Sequence, residues 1–320
     1  MPTTPRNIAL VGLGAIARSQ HAPFLLSEAN ATGLRLAATA DPRKSLPGFS
    51  GPNYPDLQAL LAAEPEVVAV SVTTPTGLHF EMAREGLLAG RHVLLEKPPT
   101  TTLGELHELQ RLAAERGRVL VTSFHAQHNP AVERAREMLA GRVPHQVRIE
   151  WREDFERWHA GQTWPWKPGG FGVFDPGINA LSVLCHVLPG VEFRVERARF
   201  RIPAGAATPA LVEMRLAWEG GGGDVAFEWR HGGREDVWDI ALEEREAGTL
   251  LIRGVRTLLR NGEAVVPETP DREYAGVYEE FAGALERGES RVSLREMRII
   301  EDATAIAEVE RSGEPFRGQG

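Results

Sequence analysis

The stretch Gly169-Gly170-Phe171-Gly172-Val173-Phe174-Asp175-Pro176-Gly177-Ile178-Asn179 holds the residue types most suited to chemistry. Asp175 and Asn179 are four apart, so a helix from Pro176 onward sets both on one face of its first turn. A carboxylate beside an amide at a helix start suits a ligand rich in hydroxyls. The same residues also read as a glycine-rich turn in which Asp175 caps the helix over Pro176. A second reactive type is Lys97, in Glu96-Lys97-Pro98-Pro99 behind the apolar run His92 to Leu95. At a strand's carboxyl end an ammonium could hold a hydroxyl and stabilise an alkoxide as it forms. Pro98 lacks an N–H and restricts Lys97 to extended backbone. A surface lysine in a charged loop is the other reading.

Such groups need elements to position them, and the first 125 residues alternate regularly. Asn7 to Val11, Leu34 to Ala40, Val67 to Val72, Val93 to Leu95 and Val119 to Thr122 are apolar runs of strand length. Ile16 to Ser27, Asp56 to Ala63, Leu78 to Leu88 and Leu103 to Arg116 have helical spacing. Apolar strands alternating with helices predict an α/β fold, a doubly wound parallel sheet covered on both faces. From Ala131 to Leu139 the pattern is again helical. Beyond it Val147 to Trp151, Val195 to Ile202, Leu211 to Trp218, Val225 to Trp229, Val237 to Leu242 and Thr249 to Ile252 are candidate strands. Short polar connections suggest an antiparallel meander. The run Gly220 to Gly223 reads as a loop between strands, Glu279 to Glu286 and Leu294 to Arg311 as closing helices, and Arg317 to Gly320 as a frayed end. The expected division is a dinucleotide-binding domain over 1–125 and an α+β domain over 126–320.

The first strand runs into Gly12-Leu13-Gly14-Ala15-Ile16-Ala17, the G-x-G-x-x-A form of the dinucleotide fingerprint. Gly12 allows the tight turn, Gly14 lets backbone approach a pyrophosphate at the helix N-terminus, and Ala17 permits close packing. Asp41 ends the second strand, where a carboxylate accepts from adenosine ribose hydroxyls and repels a 2′-phosphate. That favours NAD over NADP, although Arg43 could reach a phosphate; Asp41-Pro42 also reads as turn initiation. Thr73-Thr74-Pro75 lies at another strand's carboxyl end, where hydroxyls either touch the cofactor or cap the next helix. His79, inside that helix, reads as structural.

Composition excludes several alternatives. Two domains are expected of 320 residues, and 42% hydrophobic and 25% charged residues are ordinary for a globular chain. A net charge of −8 does not favour nucleic acid or anionic membrane. Cys185 is the one cysteine, expected as a small buried hydrophobe, so neither an intramolecular disulfide nor a multi-cysteine metal site can form. The start lacks a signal peptide's apolar core, no apolar run reaches the roughly 18 residues that span a bilayer, and a cytoplasmic location follows. His21, His92, His107, His128, His145, His186 and His231 show no metal-ligand spacing, and no metal is expected.

Gly12-x-Gly14-x-x-Ala17, Thr74-Pro75, Glu96-Lys97-Pro98 and the block from Gly169 to Asp175, in this order, resemble the Gfo/Idh/MocA oxidoreductases across essentially the whole chain. A narrower set is similar to the bacterial D-galactose and L-arabinose 1-dehydrogenases. It comprises Trp151-Arg152-Glu153-Asp154, Arg157-Trp158-His159, Gly161-Gln162, Trp164, Trp166, Pro168 to Ser182, Glu228 to Gly232 and Arg272-Glu273-Tyr274. Many members of the wider family carry Asp-x-x-x-His where this chain has Asp175 and Asn179. An amide cannot accept a proton near neutral pH, and the aldose dehydrogenases also have Asn there.

The resemblance implies a second domain with a large open, mainly antiparallel sheet, a homodimer or higher homo-oligomer, and oxidation of C1 of a cyclic aldose with NAD or NADP. It implies Lys97 and Asp175 as catalytic, with Asp175 the preferred base and Lys97 or His159 the alternatives. Glu153, His159, Asn179, Trp158 and His125 are the implied sugar contacts, and Trp164 and Trp166 core. Gly12, Gly14, Ala15, Ile16, Asp41, Arg43, Thr73, Thr74, Glu96 and Lys97 are the implied cofactor contacts. The rival readings are a non-catalytic dinucleotide-binding sugar sensor, and a dehydrogenase of another polyol such as inositol.

Overall fold

The computed structural model describes residues 5–229, 232 and 234–315. Arg230 and His231, which contribute to the resemblance, and the tail Arg317 to Gly320 lie outside the described residues. The chain forms two compact units, Met1–Phe124 with Tyr274–Leu294, and His125–Glu273 with Arg295–Gly320. A single cut after residue 125 therefore does not describe the path, because the chain returns to the first unit after Glu273.

The first unit is built on β1 (Arg6–Val11), β2 (Leu34–Ala40), β3 (Asn53–Tyr54), β4 (Val67–Val72), β5 (His92–Glu96) and β6 (Leu120–Ser123). All neighbours are parallel, in the order β3-β2-β1-β4-β5-β6. The order reverses between β1 and β4, which is where ligands sit in such sheets. Side-chain alternation divides the core. Ile8 and Leu10 point to one face, with Leu94, Val121 and the returning helix's Val277, Tyr278 and Phe281. Ala9 and Val11 point to the other. There they meet α2 (Leu57–Ala63), α3 (His79–Leu88) and α4 (Leu103–Glu115) through Leu60, Leu87 and Leu109. A capping box between Thr102 and Glu105 starts α4. The expected helix from Ile16 to Ser27 is a continuous helical segment from Ala15 to Leu25, with a π-turn over Ala17–His21.

The second unit contains α5 (Pro130–Met138), β7 (Gln146–Arg152), α6 (Phe155–His159), α7 (Phe174–Val187), β8 (Arg194–Ala204), β9 (Leu211–Trp218) and β10 (Gly221–Glu228). It continues with β11 (Val237–Glu244), β12 (Gly248–Arg253), β13 (Thr257–Arg260) and β14 (Glu263–Val266). The returning helix Glu273–Arg287 is α8, and α9 (Arg295–Ile306) and β15 (Glu308–Pro315) complete the second unit. Nine strands form one sheet, ordered β14-β13-β12-β11-β7-β10-β9-β8-β15. Helices α5, α7 and α9 lie on it.

Four expectations are corrected here. The sheet is not a simple meander, since β7 pairs in parallel with β10, and β15 with β8. The closing helix from Leu294 stops at Ile306, and Glu308–Pro315 is an edge strand. Arg199–Glu308 and Arg201–Glu310 pairs hold it to β8, so its charges face cross-strand partners and lack a helical stripe. Only Gly220 of the glycine run lies in the turn; Gly221 to Gly223 are strand residues. A Cβ on Gly223 would meet the Val147 carbonyl oxygen at 2.6 Å, so close strand approach requires glycine. Finally, α7 begins at Phe174 and makes Asp175 its second residue, not its cap. No described helix is long and apolar enough to cross a membrane.

Candidate functional site

In the first unit the groups converge at the carboxyl ends of β1, β4 and β5. Gly12 has φ +91°, and a Cβ there would meet the Thr74 backbone nitrogen at 2.9 Å. Only glycine fits that turn. Around Gly14 a Cβ would meet just the Thr73 carbonyl oxygen, at 3.9 Å. The protein itself leaves room there, as a backbone that cradles a phosphate should. Ala15 and Ile16 open the helical segment that follows.

Asp41 braces this turn. Its Oδ2 accepts from the Leu13 N–H at 2.8 Å, and its Oδ1 from the N–H groups of Arg43 and Lys44 at 2.9 and 2.8 Å. Burial pushes the carboxyl pKa up, but these three donors and the Lys44 charge outweigh it and hold it below the ordinary value. A carboxylate retains further acceptor sites after those bonds, and the Arg43 side chain is exposed beside it. Thr73 Oγ1 donates to the main-chain oxygens of Val11 and Gly12. It ties β4 to the turn and caps no helix. Thr74 Oγ1 is buried and meets no hydrogen-bond partner among the described residues. This room, carboxylate and orphaned hydroxyl fit a dinucleotide.

His79 is buried, with both ring nitrogens 2.7 Å from carbonyl oxygens, Nδ1 from Pro98 and Nε2 from Thr74. It links the loop after β4 to the loop after β5. The Lys97–Pro98 peptide is cis, and Lys97 is half-buried. The Glu96 carboxylate, implied as a cofactor contact, is turned inward. Its Oε1 accepts from Ser123 Oγ at 2.8 Å and Tyr274 Oη at 3.0 Å and lies 3.0 Å from His21 Nε2, while Oε2 accepts from the Lys97 N–H. His21 Nδ1 in turn meets Tyr278 Oη at 2.8 Å. Burial raises the Tyr278 pKa, so that phenol stays neutral. Glu96 thus anchors the backbone from which Lys97 projects. The sequence reading did not assign His21, Tyr274 or Tyr278 to this network. They lie 75 residues before Glu96 and 178 and 182 after it, too far apart for any local pattern.

In the second unit the site forms around the start of α7. Asp175 and Asn179 lie one turn apart, 4% and 7% exposed. The helix N-terminus favours the Asp175 carboxylate. Asn179 Oδ1 is buried without a hydrogen-bond partner among the described residues. The glycines around them are demanded by packing. A Cβ on Gly170 would lie 2.3 Å from the Pro165 carbonyl oxygen, and one on Gly177 would lie 2.6 Å from the Phe227 ring. His159, at the end of α6, has Nε2 3.9 Å from Asp175 Oδ2. Its ring packs edge-on against Trp229, 4.7 Å between centroids, and stacks on Phe155.

The remaining implied sugar contacts have partners of their own. Glu153 is 7% exposed and accepts from the Trp151 indole N–H at 3.0 Å. Trp158 is half-exposed, donates to Asp236 Oδ2 and lies 6.1 Å from the Trp238 ring. There it borders a surface cavity of about 730 Å³ that Arg157, Asp236 and Arg253 also line. His125 Nδ1 lies 2.7 Å from Glu273 Oε2, and Asn129 Nδ2 donates to Glu273 Oε1 at 3.3 Å. Burial raises the Glu273 pKa, but His125 and Asn129 hold it below the ordinary value. Trp166 is core, as expected, against Phe155 and Trp229. Cys185 is buried in α7, its thiol pushed up by burial and by Glu296.

Residues 6–124 match the GFO_IDH_MocA family model, described as an oxidoreductase family with an NAD-binding Rossmann fold. The chain is 35% identical over 301 residues to galactose 1-dehydrogenase of Pseudomonas fluorescens, spanning 93% of this chain and 95% of that protein. The crystal structure of D-galactose-1-dehydrogenase from Rhizobium etli has a TM-score of 0.89 at 35% identity, covering 99% of each chain. The 3-ketoreductase KijD10 from Actinomadura kijaniata, solved with TDP-benzene and NADP, shares the fold. Its TM-score is 0.80 at 22% identity, covering 96% of this chain and 99% of that one.

Proposed function

Because the chain belongs to the Gfo/Idh/MocA oxidoreductase family and is an NAD(P)-dependent sugar dehydrogenase, we propose that it oxidises C1 of a cyclic aldose. The substrate is of the D-galactose, L-arabinose or D-fucose type, the product is the aldonolactone, and NAD is the preferred cofactor. The observation that carries this reading is the pair Asp175 and Asn179 on one face of α7, buried, with the Asn179 Oδ1 unpartnered among the described residues. Buried polar groups left without protein partners suit a ligand that brings its own hydroxyls.

The first unit is assigned to the cofactor and the second to the sugar. Asp175 takes the O1 proton as hydride leaves C1, and the Lys97 ammonium steadies the developing oxyanion. Bound nicotinamide supplies the hydride acceptor. Lys97 as the base is the alternative assignment, since the proton of a coupled pair of ionisable groups belongs to the pair and not to one member. Asn179, His159 and Glu153 bind ring hydroxyls, Glu153 with one carboxylate oxygen already accepting from the Trp151 indole N–H. Asp41 reads the adenosine ribose and sets the preference for NAD. The reading includes a cytoplasmic homodimer or higher homo-oligomer, which light scattering of the purified protein checks.

The test is the absorbance of reduced nicotinamide in mixtures of the protein, NAD or NADP, and a panel of aldoses and inositol. Turnover of galactose or arabinose, lost in Lys97→Ala and Asp175→Ala, is the expected result. Tight dinucleotide binding with no sugar turned over would replace the enzyme by a sensor. Turnover that survives in Asp175→Ala would move the base to Lys97.

A further inference from the structure

We propose that Gln162, held by Trp164, is a positioning residue that fixes the tautomer of His159 and so makes its Nε2 a hydrogen-bond acceptor beside Asp175. This rests on the sugar-dehydrogenase reading for its functional consequence and on donor–acceptor chemistry for its structural one.

The Trp164 indole nitrogen donates to Gln162 Oε1 at 2.8 Å. An indole N–H can only donate, so the atom it meets must be the amide oxygen. The orientation of the Gln162 amide is therefore not free to flip. The same Oε1 lies 3.3 Å from His159 Nδ1. An amide oxygen can only accept, so His159 Nδ1 carries the proton. In the neutral imidazole the other nitrogen is then the acceptor. That nitrogen, Nε2, is the one 3.9 Å from Asp175 Oδ2.

Packing holds the plane of the ring, and the bond from Nδ1 to Gln162 sets which edge faces which partner. Phe155 stacks on it at 5.8 Å and Trp229 meets it edge-on at 4.7 Å, both apolar at the contact. Gln162 stands two residues before Trp164, and its main-chain N–H donates to the His159 carbonyl oxygen at 2.9 Å. The outcome is two neighbouring acceptors, an imidazole nitrogen and a carboxylate oxygen. A vicinal diol with two hydroxyl donors satisfies that pattern. A ligand offering acceptors alone, such as a ketone or a carboxylate, does not.

The test has a spectroscopic and a kinetic arm. Long-range ¹H–¹⁵N spectra of the sugar-free protein, with His159 assigned by comparison with His159→Asn, report the tautomer above the pH of its titration. The wild-type ring should be protonated at Nδ1. Gln162→Glu keeps an acceptor on Nδ1 and should keep this tautomer, with kcat/KM within about threefold of wild type. Gln162→Leu removes the acceptor and should give a mixed tautomer population, with kcat/KM lower by about tenfold, mostly through KM. An Nε2–H ring in the wild type overturns the proposal. So does an unchanged tautomer in Gln162→Leu, or an equal kinetic loss in both variants. If the wild-type protein turns over no sugar, the spectra still decide the tautomer, and the dehydrogenase reading alone falls.

Discussion

The main-chain N–H of Leu13 donates to Asp41 Oδ2 across 2.8 Å, joining the glycine-rich turn to the end of β2. One carboxylate thus shapes the turn and, on the proposed reading, carries the negative charge that a 2′-phosphate would meet. Asp41→Ser should shift the ratio of kcat/KM toward NADP by about tenfold or more, since it removes a charge beside the exposed Arg43 and Lys44. It should also weaken NAD, because the turn loses a brace. Steady-state kinetics with both cofactors checks it. The sign of the pH effect follows from the depressed pKa. The carboxylate's contribution to stability is complete above its ordinary value of 3.8 and disappears as pH falls through the lower folded value.

Glu96 gathers His21, Ser123, Tyr274 and the Lys97 N–H on one buried carboxylate. Glu96→Gln would replace one acceptor oxygen by a donor facing other donors. We expect a loss of about 2–4 kcal/mol in unfolding free energy, read by urea denaturation. Tyr274→Phe removes the bond to Glu96 and should cost about 1–2 kcal/mol. The double variant should lose less than the sum of the two, because both changes act on one network.

Gly177 sits in the first turn of α7, and a side chain there would enter the Phe227 ring at 2.6 Å. Gly177→Ala should destabilise the protein by about 1–3 kcal/mol. Since Asp175 and Asn179 flank it on the same helix, kcat/KM should fall with stability even at temperatures where the variant is folded. Thermal unfolding and kinetics on one preparation separate the two effects.

His128 is held neutral. Burial lowers its pKa, and the charges of His186 and His125 lower it further, to about 4. Its contribution to stability is complete above the ordinary value of 6.5 and declines as pH falls through the folded value near 4. The melting temperature should therefore drop between pH 6.5 and 4, and His128→Asn should flatten that drop. His92 is depressed to about 4 as well, by burial and by Arg118 and Arg6, so some slope should remain in the variant.

The strand–helix alternation before residue 125 was legible because each element carries its own period. β1, β2 and β4 lie where apolar runs placed them, and α4 where helical spacing did. The fingerprint from Gly12 to Ala17 was legible because its glycines meet steric demands within one turn. The tail was misread where Glu308 and Glu310 find their partners on β8, since a pairing partner leaves no mark on the paired strand. The glycines at 221–223 were misread as a loop for the same reason: their need is the closeness of neighbouring strands.

The order of residues alone, then, determined the doubly wound first sheet, the dinucleotide turn, and Lys97, Asp175 and Asn179 as the residues to watch. The sheet and the turn follow from periodicity and from steric demands within a few positions, and the three residues from the family resemblance. Only the tertiary structure decided what surrounds them. It set Glu96 inward on Tyr274, brought His159 to Asp175, left Trp158 with Asp236, and let Trp164 orient Gln162. Hydrogen bonds and packing act through space, so their partners come from elements that the chain order separates.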